Sequence, residues 1–234
     1  MIAIISDVHG NYPALEAVLG DIDAAGCNNI ICLGDVAGYY CMVNECIEAL
    51  RQRGVSSLMG NHDQYLLSGT SPQRSRAASR CIAFQRQIVT ADNLAWLAGT
   101  KPSLHIAEVS MVHGGWVDPI DEYMNEIRED YFTDLPGTFF FSGHTHVQVL
   151  ARYGNKTYCN PGSVGQPRDG DPRAAYALFD KGEIALKKIP YDIDQIASEM
   201  DRAGFEAYFF ENLFAGCCIG GSTAHVRIIT SNSC

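Results

Sequence analysis

The chain has 234 residues, of which 47% are hydrophobic and 19% charged, and its formal net charge at pH 7 is −10. This composition is typical of a folded globular protein and excludes an intrinsically disordered one. The negative charge argues against binding to duplex nucleic acid, because phosphate contacts need clustered Lys and Arg. No apolar stretch approaches the roughly 20 residues that span a bilayer, so a membrane protein is also excluded.

The first residues and the cysteines favour a cytoplasmic protein. The apolar start of the chain is interrupted by Ser6 and Asp7, which leaves it too short for a signal peptide. The nine cysteines include no CxxC pair, and without an export signal we expect free buried thiols rather than disulfides. For the adjacent Cys217 and Cys218, a packing role is favoured over a reactive one.

The first quarter of the chain predicts strands that alternate with helices. Asn11 is the expected N-cap of a helix that ends at Gly26, and a second amphipathic helix is expected from Val43 to Leu50. Such alternation is typical of parallel crossover units. Apolar runs predict the strands at residues 2–6, 30–33 and 57–59.

The pattern changes in the rest of the chain. Residues 72–99 are predicted to be helical with a break near Thr90, which would cap the second helix. Hairpin turns are expected at Gly154-Asn155 and Lys181-Gly182, and a final helix at residues 193–203. The predicted strands are residues 104–112, 138–142, 147–153, 156–159, 174–179 and 184–189.

One layered α/β domain over residues 1–234 is the simplest interpretation, because the sequence has no internal repeat or low-complexity linker. Residues 205–234 form a C-terminal tail whose pattern indicates no clear element. It either packs on the domain or mediates assembly, so the sequence leaves homo-oligomer formation open.

Five short polar clusters each follow an apolar run. In α/β sheets, ligands gather beyond the carboxyl ends of the strands, so the clusters can converge. If Asp7 and His9, or His144 and His146, lie on strand-like backbone, both members of each pair point to one side. The clusters are Asp7-Val8-His9, Gly34-Asp35, Gly60-Asn61-His62-Asp63, His113-Gly114 and Gly143-His144-Thr145-His146.

These side chains are suited to binding divalent metals. Imidazole, carboxylate and amide oxygen, without thiolate, favour Mn, Fe, Zn, Ni or similar ions. The potential ligands outnumber those of one ion, and with a shared carboxylate they suffice for two ions about 3.5–4 Å apart. The alternative is that they are capping and turn residues of an ordinary sheet, which one cluster would favour but five in order argue against.

The order of these motifs resembles that of the calcineurin-like metallophosphoesterases. The run from Asn160 to Gly165 and the segment Ile189-Pro190-Tyr191-Asp192 are similar to the small bacterial and archaeal branch of that family, and the resemblance covers residues 1 to about 195. It implies a layered β-sandwich flanked by helices. It also implies a phosphoesterase acting on a small phosphate ester, with a phosphodiester or nucleotide favoured, by water held between two divalent metals.

The resemblance also assigns roles to single residues. Asp35 would bridge the two ions, and His62 would contact the phosphate as the catalytic imidazole rather than bind a metal. His62 would then protonate the leaving oxygen or stabilise the phosphoryl oxygens. The first ion would be held by Asp7, His9, Asp35 and His146, and the second by Asp35, Asn61, His113 and His144.

Two departures from the family bear on the substrate. In the Ser/Thr protein phosphatases, the bridging Asp is followed three residues later by an Asp that orients the catalytic His, and then by a phosphate-binding Arg. Here Gly38 and Tyr39 occupy those positions, which weakens the protein-phosphatase alternative.

A non-catalytic binding scaffold of the same family is the other alternative, but such scaffolds lose ligand positions that are all filled here. Asp63 either orients His62 or serves as a turn or cap residue.

Two basic features remain as candidate substrate contacts. Arg168, in the loop after the Asn160 run, is predicted either to face the site or to be an ordinary loop residue. A stretch of arginines following the His62 cluster could bind a distal phosphate, although a solvated helix face is favoured. These arginines are Arg74, Arg76, Arg80 and Arg86.

Overall fold

The computed structural model describes residues 1–73 and 75–229. Two five-stranded sheets are flanked by helices, which confirms the predicted fold class. In chain order the elements are β1 (Ile2–Ile5), α1 (Tyr12–Ala24), β2 (Ile30–Cys32), α2 (Val43–Gln52), β3 (Ser56–Ser57), α3 (Asn61–Ser68), α4 (Arg76–Ile88), α5 (Ala91–Ala98), β4 (Ser103–Ile106), β5 (Val109–Val112), β6 (Glu126–Arg128), α6 (Glu129–Phe132), β7 (Phe139–Phe141), β8 (Val149–Tyr153), β9 (Lys156–Asn160), β10 (Ala174–Asp180), β11 (Glu183–Ile189), α7 (Ile193–Arg202) and β12 (Arg227–Ile229).

Each sheet contains three neighbouring parallel strands. The first sheet has the order β11-β10-β1-β2-β3, in which β1, β2 and β3 are parallel. The second has the order β4-β5-β7-β9-β8, in which β5, β7 and β9 are parallel. The other strands of these two sheets, β10 and β11 in the first and β4 and β8 in the second, pair antiparallel with their neighbours. All six parallel strands lead into loops at the same end of the molecule, where the polar clusters lie.

The alternation of side chains along β1 explains the layers. Ala3 and Ile5 face α1 and α2, whereas Ile4 faces the second sheet and packs near Met111 and Phe141. Both faces of the strand are therefore covered, which is why its residues are almost all apolar. Burying a side chain such as Ile4 contributes about 1.5–3 kcal/mol to the free energy of unfolding.

Most predicted elements are confirmed. Asn11 caps α1 by accepting a hydrogen bond from the Ala14 N–H, and Thr90 caps α5. Turns at residues 154–155 and 181–182 join antiparallel strands. The single strand predicted at residues 104–112 is wrong, because Ala107 adopts a φ of 49° and turns the chain into the β4–β5 hairpin.

The C-terminal tail packs on the domain as far as the structure describes it. Phe205, Phe209 and Leu213 are buried beside Met200 of α7 and Tyr40. Farther along, β12 pairs in parallel with β6. In the described part of the chain, every helix is too short or too polar to cross a membrane.

Candidate metal centre

The seven predicted ligands all lie beyond the carboxyl ends of the parallel strands. Positive φ angles are uncommon outside glycine, and each costs on the order of 1–3 kcal/mol unless the surroundings impose it. Such strain concentrates at functional sites. Five of the seven ligands adopt it: Asp7 (55°), His9 (54°), Asp35 (54°), His144 (65°) and His146 (60°).

This backbone corrects the reasoning behind two predicted arrangements. The expectation that Asp7 and His9, or His144 and His146, alternate along strand-like backbone is wrong, because the strands end before them and the loops are left-handed. Asn61, in contrast, is the first residue of α3. The side chains still converge, but tight loop turns aim them.

The first group of ligands surrounds Asp7 and His9. The Nε2 atoms of His9 and His146 are 3.0 Å apart, and Oδ1 of Asp7 lies 3.2 Å from the His146 Nε2. All of these side chains are buried. These residues form a group whose ligand atoms lie within 4.8 Å of one another, close enough to hold one ion.

The second group is centred on His113. Its Nε2 lies 3.2 Å from Asn61 Oδ1 and 3.2 Å from His144 Nδ1. Oδ2 of Asp35 is 3.4 Å from this His113 nitrogen and 3.7 Å from the His9 Nε2 of the first group. The same oxygen of Asp35 therefore faces both groups.

Hydrogen bonds to backbone carbonyls fix how three imidazoles are oriented. The Nδ1 atoms of His9, His113 and His146 contact the carbonyl oxygens of Ala37, Leu33 and Gln166 at 2.8, 3.1 and 2.7 Å. When Nδ1 carries the proton, the Nε2 lone pair is directed into the site. Outer hydrogen bonds of this kind usually orient histidines that bind metals.

The resulting contacts fit bound cations. With both Nδ1 atoms protonated, the lone pairs of His9 and His146 face each other at 3.0 Å with no proton between them. Among the described residues, Asp7 Oδ1 and Asp35 Oδ2 are buried atoms without a hydrogen-bond partner. Buried acceptors that face one another are costly unless a positive charge lies between them. This donor set therefore fits divalent metal ions.

The pKa values of the site reflect the same excess of negative charge. Burial alone would lower the pKa of His113, but Asp35 more than offsets it and raises the pKa to about 9. Burial lowers the pKa of His9 and of His144 well below the ordinary value, so both imidazoles are neutral at pH 7 and can act as ligands.

Asp63 is a cap residue of α3, which is one of the two roles predicted for it. Its carboxylate accepts hydrogen bonds from the N–H groups of Asp35 and Ala37, both at 2.8 Å, and of Gly60 at 3.1 Å. It therefore fixes the Asp35 loop against the start of α3 and does not orient His62. His62 Nδ1 is buried and has no hydrogen-bond partner in the described structure.

His62 lies at the edge of the centre. It forms a third metal-capable group with His9 and Asp35, so its position suits contact with a metal as well as with a phosphate. Its backbone N–H donates to Asp35 Oδ1 at 2.8 Å. The role of His62 as the catalytic imidazole remains a prediction.

Gly38 explains why no carboxylate orients His62. A Cβ built at this position would lie 2.2 Å from the His9 Nδ1, and the φ of Gly38 is 136°. No larger residue fits there without displacing His9. The absence of the protein-phosphatase Asp is thus part of how this loop is packed.

A cavity of about 220 Å³ adjoins the centre, and both His62 and Asn61 line it. Arg168 also lines it, in agreement with the prediction that Arg168 faces the site. The other walls, which were not predicted to line a cavity, include Tyr39, Tyr65, Tyr123, Cys218 and Ile219. Two of them carried a signal in the sequence: Tyr39 occupies the position of the phosphate-binding Arg of the Ser/Thr phosphatases, and Tyr65 lies one helical turn after His62.

The described arginines of the stretch after His62 do not line this cavity. Arg80 forms an ion pair with Glu206 at 3.3 Å, and Arg86 donates to the carbonyls of Tyr65 and Thr70. Arg76 and Arg80 line a separate surface cleft. Arg74 lies outside the described residues. The described arginines therefore lie on α4, where they form part of the helix surface and contact neighbouring segments of the chain.

Residues 1–183 match the model of the calcineurin-like phosphoesterase superfamily domain. An uncharacterized protein of Methanocaldococcus jannaschii is 32% identical over 240 residues, covering 92% of this chain and 98% of that protein. A metallophosphoesterase structure from Sphaerobacter thermophilus is 32% identical, with a TM-score of 0.82 and coverage of 92% of this chain and 99% of that one.

A hypothetical protein from Pyrococcus horikoshii has the same fold, with a TM-score of 0.82 at 18% identity and coverage of 92% and 99%. The family binds divalent metals, and the clusters described above supply metal-capable groups. Because the family model covers most of the chain, this protein belongs to the calcineurin-like phosphoesterase superfamily.

Proposed function

We propose that this protein is a metal-dependent phosphoesterase that hydrolyses a small phosphate ester, with a phosphodiester or nucleotide as the favoured substrate. One observation carries the proposal. The imidazole and carboxylate atoms converge on one buried centre beside a cavity, and Asp35 Oδ2 faces both ligand groups.

The residues that would hold the ions are those of the two groups. Asp7, His9, Asp35 and His146 would hold one, and Asp35, Asn61, His113 and His144 the other. When bound, the ions would supply activated water and offset the negative charge that develops on the phosphoryl group. Mn, Fe, Zn and Ni all suit these ligands.

The rest of the reaction depends on groups of the chain itself. Water adds to phosphorus, the bond from phosphorus to the leaving oxygen breaks, and that oxygen receives a proton. His62 lines the cavity next to Asn61, so its imidazole is placed to contact a phosphoryl or leaving oxygen.

The protonation state of His62 decides between two contributions. Burial lowers its pKa to about 4; Asp35 opposes this shift and Arg168 adds to it. The imidazole is therefore neutral at pH 7 and can donate one hydrogen bond to a phosphoryl oxygen. The negative charge of a bound phosphate raises the pKa of a neighbouring imidazole, which would make proton donation to the leaving oxygen available.

Both alternative functions are less well supported. A protein phosphatase of the Ser/Thr type needs a carboxylate where Gly38 contacts His9, and a cavity of about 220 Å³ is small for a protein segment. A non-catalytic scaffold would have no need for the strained loops that aim five of the ligands.

The test is an add-back screen. Chelated protein would be reconstituted separately with Mn, Fe(II), Zn or Ni and assayed against phosphomonoesters, phosphodiesters and dinucleotides. We expect hydrolysis only after metal is restored, with the highest kcat/KM for a diester or a nucleotide. Full metal loading without hydrolysis of any ester would contradict the proposed activity and favour the scaffold.

A further inference from the structure

Arg168 is a partly buried cation without a carboxylate partner. Its Nε and Nη2 both donate to Gln166 Oε1, at 3.1 and 2.5 Å. Within residues 1–73 and 75–229, no carboxylate oxygen lies within 4.0 Å of its guanidinium. A partly buried charge that contacts only neutral groups is costly unless a ligand of opposite charge balances it.

The position of Arg168 indicates which ligand would balance its charge. Its guanidinium carbon lies 5.4 Å from the centre of the Tyr39 ring, and that ring lies 4.9 Å from the ring of His62. Arg168, Tyr39 and His62 all line the same cavity. The guanidinium therefore faces the space in which a substrate beside the metal centre would lie.

We propose that Arg168 binds a phosphate oxygen of the substrate, and that the C-terminal segment 205–229 both positions Arg168 and limits the leaving group to a compact, single-ring alcohol. This inference rests on the proposed function of the same site. It deepens that function by assigning the phosphate contact, and it narrows the substrate to phosphate esters, including diesters, with a one-ring leaving group, which excludes a nucleoside as the leaving group.

A chain of hydrogen bonds links the segment to Arg168. Gln166, which accepts both guanidinium bonds, donates from Nε2 to the Tyr40 hydroxyl at 3.1 Å. Asn212 of the segment donates to the same hydroxyl at 3.4 Å. The backbone adds a second link, because the N–H of Ala224 donates to the Arg168 carbonyl at 2.8 Å.

The same segment forms one wall of the cavity. Cys218 and Ile219 lie on the segment and line the space together with Tyr65 and Tyr123. At about 220 Å³ the cavity is smaller than the roughly 300–1,000 Å³ typical of drug-sized ligands. Aromatic walls around so small a volume favour one ring of a leaving group over two.

The family model ends at residue 183, whereas the metal ligands all precede that point. The segment that supports Arg168 and closes the cavity lies beyond it. The part of the chain that matches the family model therefore supplies the metal centre, and the C-terminal segment supplies substrate selection.

The phosphate contact is tested with Arg168→Gln and Arg168→Lys. Arg173→Gln is the matched control, because Arg173 lies in the same loop but is exposed and paired with Asp171. Losing a charged hydrogen bond costs about 1.5–3 kcal/mol. We therefore expect KM, and the dissociation constant of inorganic phosphate measured by calorimetry on metal-loaded protein, to rise about 10- to 100-fold in Arg168→Gln.

Arg168→Lys keeps the charge but loses the fork geometry, so it should restore part of the affinity. Metal content should be unchanged in all three variants. Unchanged phosphate affinity in Arg168→Gln would overturn the inference while leaving the proposed hydrolysis intact. If the wild-type protein hydrolyses no ester, the proposed function fails, but the calorimetric comparison still tests Arg168.

The positioning role is tested with Tyr40→Phe, which removes only the hydroxyl between Gln166 and Asn212. We expect KM to rise with kcat nearly unchanged, because Arg168 loses its orientation but not its charge. A fall in thermal stability with an unchanged KM would show that Tyr40 is merely structural and would overturn this part.

The size limit is tested with Ile219→Ala, using the exposed tail variant Ile228→Ala as the control. The probes are phenyl phosphate and naphthyl phosphate. The wild-type protein should prefer the phenyl ester, and Ile219→Ala should reduce that preference whereas Ile228→Ala should not. Equal kcat/KM for both esters in the wild-type protein would overturn the size limit.

Discussion

The metal centre and the cavity beside it are built in different ways. In the centre, side chains from strand-end loops are fixed by backbone groups: three imidazoles contact carbonyl oxygens, and Asp63 accepts three backbone N–H bonds. The cavity is instead walled by side chains from separate segments, including Tyr65 on α3 and Ile219 in the C-terminal tail. A metal centre whose side chains are fixed by backbone groups tolerates few substitutions, whereas the side chains that line the cavity can be replaced more freely.

This difference separates chemistry from selectivity. The ligand loops hold strained backbone, so their geometry depends on the whole sandwich around them. The cavity walls carry no comparable constraint, and part of them lies beyond the region matched by the family model. Substitutions in the first region should alter metal binding, and those in the second should alter only substrate affinity.

The largest effect is expected for Asp35→Ala. Because Asp35 Oδ2 faces both ligand groups, its loss should lower the affinity for both ions and reduce activity by at least about 10³-fold. Metal analysis should give a ratio near two per chain for the wild-type protein and well below one for the variant. Asp23→Ala, which removes an exposed carboxylate, is the control.

Two results would contradict this assignment. Loss of only one ion from Asp35→Ala would mean that Asp35 does not bridge. A wild-type ratio below one at saturating Mn would exclude a two-metal centre.

His62→Ala should have the next largest effect and should separate the two regions at their boundary. We expect turnover to fall about 10²–10⁴-fold, the usual range for a positioned acid–base group, with metal content nearly intact. His105→Ala, at an exposed histidine on β4, is the control. Loss of a metal from His62→Ala would instead place His62 among the ligands, as its group with His9 and Asp35 allows.

The substrate used with His62→Ala distinguishes its two chemical roles. An activated aryl ester has a good leaving group that needs no proton. Retained turnover of that ester, with loss of turnover for alkyl esters, would favour proton donation. Equal losses for both would favour stabilisation of the phosphoryl oxygens.

The sequence predicted which residues form the metal centre better than it predicted the backbone geometry of those residues. Polar clusters that interrupt apolar runs mark the ends of buried strands, so the convergence of residues such as Asp35 and His113 could be expected. The left-handed backbone could not, because residues other than glycine rarely adopt positive φ angles. The strain lies on the ligands themselves, as the φ of 54° at Asp35 shows.

The cavity was largely beyond sequence reasoning, for a physical reason. Its walls at Tyr65, Tyr123 and Ile219 are distant in sequence, and no shared periodicity connects them. The β4–β5 turn was missed similarly, because Ala107 adopts a conformation typical of glycine. Local patterns predict local elements, and contacts between distant segments require the folded chain.

Gly38→Ala tests whether the centre tolerates a change that adds no charge. The new Cβ would lie 2.2 Å from His9 Nδ1, so the His9 ring must move and lose its bond to the Ala37 carbonyl. Losing an outer hydrogen bond typically weakens metal affinity about 10- to 100-fold, and we expect at least that loss here. Calorimetric metal titration measures it. Gly54→Ala is the control, since Gly54 also has a positive φ but nothing lies near its Cβ. Equal metal affinity in both variants would contradict the rigid centre.

The smallest effect on the centre is expected from alkylation of Cys218. Burial raises the pKa of Cys32, Cys41 and Cys81 to about 12, so these thiols should resist iodoacetamide, whereas Cys218 is partly exposed beside the cavity. The test uses a Cys234→Ser background, because Cys234 lies outside the described residues, and mass spectrometry locates the label.

A label on Cys218 would occupy part of the cavity and should raise KM by at least about 5-fold, the lower end of the usual cost of overpacking, while metal content stays unchanged. Cys218→Ser should resist the effect. Labelling of Cys218 with no change in KM would show that the C-terminal segment does not limit access to the cavity, and the division between a rigid centre and a selective wall would fail.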